Sequence, residues 1–257
     1  MKKFVFLFFM ILASTVALPQ NASGIVENSL VLIRQSELSK ARGELDKLKN
    51  YPLDKLKAEL TDQTVAKAFW VNYYNATVQV LLLEDPKKYD DRGAFFSTKW
   101  TIVAGHELSL DDIEHGIIRG SKHKYTLGYT SKFFVEDFEE TFRLDELDYR
   151  VHFALNCGAL SCPPVAIYKA EALDKQLEVA SKTYLTREVR YDASKKRVAV
   201  PVLCQWFYAD FGKELGIREM LNRYLPEVKV SDKAKISYLD YDWTVKIQNF
   251  IKEGIQQ

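Results

Sequence analysis

The 257-residue chain has three cysteines, eleven glycines and seven prolines. Three cysteines are too few for a disulfide framework, so this is not a small disulfide-stapled scaffold. Scattered prolines and sparse glycine exclude collagenous and linker-rich architectures. Charge of one sign is also missing. With 36 Lys and Arg against 35 Asp and Glu, the net charge is +1, without the basic excess of a nucleic-acid binder. No G-x-G-x-x-G, P-loop, G-x-S-x-G, H-E-x-x-H or C-x-x-C pattern occurs, so the common signatures of nucleotide, serine-hydrolase, zinc-protease and thiol-redox sites are absent. What remains is 47% apolar and 28% charged, the profile of an ordinary globular protein.

The one long apolar run is N-terminal. Met1, Lys2 and Lys3 precede Phe4 to Leu12, and the small residues Ala13, Ser14, Thr15 and Ala17 follow. This is the layout of a secretory signal peptide, too short for a comfortable membrane span, and it suggests bacterial export. Cleavage after Ala17 would remove both leading lysines and leave a slightly acidic chain. The expected location is therefore the periplasm or the exterior, an oxidising setting. The cysteines Cys157, Cys162 and Cys204 are odd in number, so at least one is left without a partner in the chain. A Cys162–Cys204 pair, leaving Cys157 as the thiol, is one arrangement to test.

No repeat or linker divides the chain. Residues 28–50 read as an amphipathic helix, with Leu30, Ile33, Leu38, Leu45 and Leu48 among charges. Residues 61–83 read as a second helix, capped at Thr61 or Asp62 and apolar almost all round, hence buried. Trp100 to Ala104 reads as a strand. Ser109 and Asp112 resemble a capping box opening a helix toward Gly120. Residues 150–156 read as a strand, 171–185 as a helix, and 188–191 with 197–203 as a hairpin. Residues 206–225 read as a helix broken at Gly216, and 236–241 as a last strand. Phe133, Phe134, Phe138 and Phe142 recur at near-helical spacing and are expected in the core. Helices first and strands late imply α+β: a helical N-terminal part packed on a small, mostly antiparallel sheet. The organisation expected is a signal peptide at 1–17, a helical extension at 18–60 and one domain at 61–257.

Three segments could carry chemistry. Arg150 to Pro164 runs through Cys157-Gly158 to Cys162-Pro163-Pro164. A cysteine at a strand end beside glycine would be exposed, with backbone N–H groups near to hold an oxyanion. The plainer reading is a buried cysteine acting as a small hydrophobe. Strand alternation puts His152 on the face opposite Cys157 and disfavours it as a partner. A thiol nucleophile needs a base. His115, on the capped helix with Glu114, is the best placed of the four histidines. Asn72, Asn75 and Gln79 form a polar stripe on the apolar helix. Buried amides must be hydrogen-bonded, so they either tie down a loop or orient a histidine. Cys157 with Cys162, or His106 with His115, give only a faint metal-site pattern.

At these segments the chain resembles the DUF547 family, a family of unknown function. The residues concerned are Phe69 to Asn75, Ser109 to Arg119, Val151 to Gly158 with Ser161 to Pro164, and Cys204 to Phe207 before Asp210-Phe211. The resemblance covers roughly residues 60–215. Its His and Cys motifs are similar to those of papain-like and transglutaminase-like thiol enzymes. That implies Cys157 as nucleophile, His115 as base, and Asn72, Asn75 or Glu114 as the orienting group. The order Asn, His, Cys implies a permuted papain-like arrangement.

The expected function is an exported cysteine-dependent hydrolase or acyltransferase acting on an amide or ester bond. The alternative is a non-catalytic binding or structural protein of the cell envelope. No cofactor and no metal are expected. The expected partner is a small-molecule, peptide or cell-envelope substrate, not a nucleic acid, and membrane contact is expected only through the export signal.

Overall fold

The computed structural model describes residues 20–228, 230–231 and 233–251; the expected signal peptide at 1–17 lies outside them. The architecture is α+β, as its sequence pattern implies. Four helices come first: α1 (Ala22–Arg34), α2 (Leu38–Asp46), α3 (Leu53–Glu59) and α4 (Gln63–Glu84). Helix α4 is the spine. Asp62 caps it by accepting hydrogen bonds from the N–H groups of Thr64 and Val65, and its charged residues, Lys67 and Glu84, lie near its two ends. Ala68 through Leu82 are all buried, because neighbours cover the helix on every side.

The single helix expected over 28–50 is two. Ser36 adopts φ +64°, and Glu37 N–H donates back to Leu32 O, closing α1 with a left-handed turn. The turn folds α2 back so that Ile25, Leu30 and Ile33 of α1 and Ala41 and Leu45 of α2 join one apolar cluster. The two helices pack chiefly on each other, and both also pack on α4.

Helix α5 (Arg92–Ser97) leads to a hairpin of β1 (Thr101–Val103) and β2 (His106–Leu108). Ala104 and Gly105, both at positive φ, make the two-residue turn that matches strand twist. A π-helical turn, Asp112–Ile118, follows. Its start is the expected capping box: Ser109 N–H donates to Asp112 Oδ2 (2.8 Å), and Asp112 N–H donates to Ser109 Oγ (3.1 Å). Helix α6 (Asp137–Phe142) buries Phe138 and Phe142. Phe133 and Phe134 depart from the core expectation: both are 94% exposed, because they sit in the loop before α6 and not on its buried face.

The strand expected at 150–156 is a 3₁₀ turn, Tyr149–Phe153. Asp148 captures it by accepting from the backbone N–H and the guanidinium of Arg150, a local bond that competes with extended pairing. Helix α7 (Leu173–Glu188) packs against this turn. Strands β3 (Arg190–Asp192) and β4 (Arg197–Val200) form the expected hairpin, and β5 (Lys235–Tyr238) pairs in parallel with β4. Between them lie α8 (Leu203–Trp206) and α9 (Lys213–Tyr224). The break falls at Gly212 (φ +74°), while Gly216 lies within α9. A second apolar cluster, including Tyr184, Val198, Cys204, Phe211 and Leu221, unites these late elements.

Candidate functional site

A cleft of about 420 Å³ opens where the two clusters meet. Tyr74 of α4 and Leu155 line one side; Leu203, Trp206 and Phe207 line the other. Asp111, Glu114, His115, His152, Cys157 and Tyr241 bring the polar chemistry to it. Three of the residues singled out in the sequence, Cys157, His115 and Glu114, thus share one concave surface.

Two are elsewhere. Asn72 donates to Tyr168 O (2.7 Å) and accepts from Tyr168 N–H (2.9 Å). Asn75 donates to Ala154 O (2.9 Å) and accepts from Asn156 N–H (2.7 Å). Both amides are committed to backbone, so neither orients His115. They perform the loop-tying role instead, and Asn75 fixes the segment that delivers Cys157. Gln79 extends the stripe to Asn156 Oδ1 and to Gln248 N–H.

Cys157 and Cys162 are joined in a disulfide, and Cys204 is the free, buried cysteine. This corrects the Cys162–Cys204 pairing. The five-residue separation allows closure through a tight turn: Gly158, at φ +90°, has no room for a side chain, since a Cβ would lie 2.3 Å from Leu82 Cδ1. The Tyr241 hydroxyl stands 3.1 Å from each sulfur. Burial holds its pKa well above the ordinary tyrosine value, so it stays a proton donor. The backbone N–H groups expected to hold an oxyanion are occupied here: Cys157 N–H donates to Cys162 Sγ (3.0 Å) and Gly158 N–H to Asn156 Oδ1 (3.0 Å).

Asp111 and Arg119 flank the π-helical turn and His115 lies within it, the three at four-residue spacing. An Arg119 N–H donates to His115 Nδ1 at 2.9 Å. A guanidinium cannot accept, so Nδ1 carries the lone pair and Nε2 the proton. His115 Nε2 in turn lies 3.5 Å from Asp111 Oδ1. Burial first, then the charges of Arg119 and Lys124, hold the His115 pKa well below its usual value. The ring is therefore a neutral donor toward the cleft, and its one basic nitrogen is already engaged. Glu114 is largely buried, and loss of solvation, opposed by Arg119, raises its pKa to about 7.

Beneath this layer, Arg119 Nε donates to Asp210 Oδ2 (2.7 Å) and its guanidinium lies over the Phe207 ring, 4.6 Å from the centroid. His152 stacks on Phe207 with centroids 4.0 Å apart and planes 11° from parallel. Its Nε2 lies 3.0 Å from Asp210 Oδ2. Burial works to raise the Asp210 pKa, but bonds from His152 and Arg119 outweigh it and the net shift is downward. The carboxylate thus accepts the His152 Nε2 proton and leaves a lone pair at Nδ1. Burial depresses the His152 pKa, so the ring is neutral. The strand alternation that set His152 apart from Cys157 has no force in a 3₁₀ turn, and both residues line the cleft. Asp210, Arg119 and Tyr241 were not read from the sequence as site residues. The Asp111-x3-His115-x3-Arg119 spacing was the available signal for Arg119.

Residues 57–185 match the family described as a protein of unknown function, DUF547. The chain belongs to the DUF547 family. The matched stretch of this DUF547 protein holds α4, the π-helical turn, His152 and both bridged cysteines, while Asp210 and Tyr241 lie beyond it. No curated protein and no solved structure matches the chain. Among the described residues no group of three or more His, Cys, Asp or Glu side chains is placed to hold a metal ion.

Proposed function

We propose that this DUF547 protein is an exported, cysteine-dependent hydrolase or acyltransferase acting on an amide or ester bond, with Cys157 as nucleophile and His152 as base. The observation that carries this reading is the 3.0 Å His152–Asp210 contact beside a cleft that Cys157 also lines. A carboxylate holding one imidazole nitrogen protonated leaves the other basic, the arrangement that activates a thiol. The base role expected for His115 passes to His152, because Arg119 already occupies the basic nitrogen of His115.

The active form needs the Cys157–Cys162 bond opened by two electrons and two protons from an external dithiol, which leaves as its disulfide. His152 Nδ1 then takes the Cys157 proton, and the thiolate attacks the carbonyl carbon. The oxygen takes up negative charge and receives the Tyr241 hydroxyl bond. His152 returns the proton to the departing amine or alcohol. Water opens the thioester in a hydrolase, and an acceptor amine or alcohol does so in an acyltransferase.

The test is the iodoacetamide alkylation rate of reduced protein against pH. Reduced wild type is expected to label Cys157 quickly at neutral pH, and His152→Gln to slow it roughly tenfold or more, with His115→Gln close to wild type. Equal rates in wild type and His152→Gln overturn the base assignment. The disulfide itself favours a second reading, a binding or structural envelope protein in which the Cys157–Cys162 bond only braces the cleft wall. A Cys157 that stays unreactive after reduction supports that one. Export rests on the signal-peptide layout, and an intact mass beginning at Leu18 for protein recovered outside the cytoplasm tests it.

A further inference from the structure

The loop over residues 121–135 joins the π-helical turn to α6. It contains three lysines, Lys122, Lys124 and Lys132, one histidine, and no Asp or Glu, in a chain with 35 acidic residues. It also carries the most exposed large apolar side chains of the described residues. Phe133 and Phe134 are each 94% exposed and Tyr125 is 80% exposed, with Leu127 and Tyr129 exposed beside them. Large apolar groups held in water together on one loop mark an interaction site. Tyr125 and Leu127 are also on the lining of the cleft, so the loop reaches the rim of the site.

We propose that this loop docks the protein on an anionic lipid surface, with Phe133 and Phe134 inserted at the headgroup–acyl boundary and the cleft mouth held against the membrane. The two phenylalanines have no polar atom to satisfy in that environment, while Tyr125 and Tyr129 suit the headgroup level. Two of the three lysines are already paired, Lys124 with Asp111 (2.6 Å) and Lys132 with Glu139 (2.7 Å), so the complementary charge of the loop comes from Lys122. Lys213 of α9 adds to it from beside the Tyr129 ring, 5.4 Å from its centroid. A nucleic-acid surface is less well matched. The loop has no arginine, and adjacent phenylalanines gain more from hydrocarbon than from a phosphate backbone. The docking extends the sequence expectation, which confined membrane contact to the export signal. It is independent of the thiol chemistry, because insertion uses neither Cys157 nor His152.

The experiment is co-sedimentation of the Cys157→Ala protein with sucrose-loaded vesicles of phosphatidylglycerol and phosphatidylcholine, and with vesicles of phosphatidylcholine alone. Binding to the anionic vesicles, weakened roughly tenfold or more by Phe133→Ser with Phe134→Ser and reduced by salt, is the expected result. Both side chains are exposed, so the double variant keeps its fold, checked by circular dichroism. No binding by the parent, or equal binding by parent and double variant, overturns the proposal. So does a dimer in solution that the double variant dissociates, which would assign the patch to a second copy. Retention of a nucleic-acid oligomer in place of vesicles overturns it as well.

Discussion

Asp210 Oδ2 accepts from two buried side chains at once, His152 Nε2 at 3.0 Å and Arg119 Nε at 2.7 Å. One carboxylate thereby couples both histidines of the cleft, His152 directly and His115 through Arg119. Both rings carry the proton at Nε2, but Asp210 engages the Nε2–H of His152 while Arg119 engages the Nδ1 lone pair of His115, so opposite nitrogens are left free. His152 keeps a lone pair at Nδ1, whereas His115 keeps its proton at Nε2.

Removing the centre of that network should be costly. Arg119→Met leaves the Asp210 charge buried with one partner fewer and is expected to destabilise the protein by about 3–5 kcal/mol. Urea unfolding, with an unchanged dependence on denaturant, checks this. A loss below about 1 kcal/mol would mean the buried pair is not formed.

Glu114 predicts a stability change between mildly acid and neutral pH. Its pKa is raised from the ordinary 4.5 to about 7, so the fold favours the protonated carboxyl. The folded protein therefore loses stability as pH climbs from about 4.5 to about 7. The order of magnitude is about 3 kcal/mol. Glu114→Gln should be more stable than wild type at pH 8 and similar at pH 4.5, read as the pH dependence of thermal unfolding. Parallel curves for the two proteins would refute it.

His115 and His152 act at the acid side. Both pKa values are lowered by burial, so the unfolded chain takes up protons below about pH 6.5 that the folded chain refuses. Stability should fall as pH drops below that point. His152→Gln should flatten part of this decline in the same unfolding measurements.

Gly158→Ala places a Cβ 2.3 Å from Leu82 Cδ1 at a residue with φ +90°. Strain and overpacking together should cost about 2–4 kcal/mol. Gly43→Ala, where a Cβ meets nothing within 4 Å, should cost nothing comparable. Calorimetry of the two variants provides the contrast.

Peptide mapping without reduction should show Cys157 linked to Cys162 and Cys204 alkylated only after denaturation, since Cys204 is buried. A bridge involving Cys204 would contradict the arrangement of the cleft floor.

The legible parts of the sequence were those whose cause is local. Asp62 and the Ser109–Asp112 box cap their helices through bonds within three residues. The all-apolar face pattern of α4 told of burial on every side. The amides of Asn72 and Asn75 announced a buried polar role, and the plainer of their two readings holds. Sequence alone thus determined the α+β class, the buried spine and the segments that would carry chemistry. Tertiary structure decided the rest. Residues 150–156 have a strand-like pattern, yet an Asp148–Arg150 bond and packing under α7 wind them into a 3₁₀ turn. The partners of His152 and Arg119 lie 58 and 91 positions away at Asp210. Which imidazole nitrogen holds a proton depends on that distant carboxylate, and no periodicity records it. The same holds for the cysteines. Counting left one without a partner, but only the turn at Gly158 brings Cys157 against Cys162 and leaves Cys204 in the apolar core.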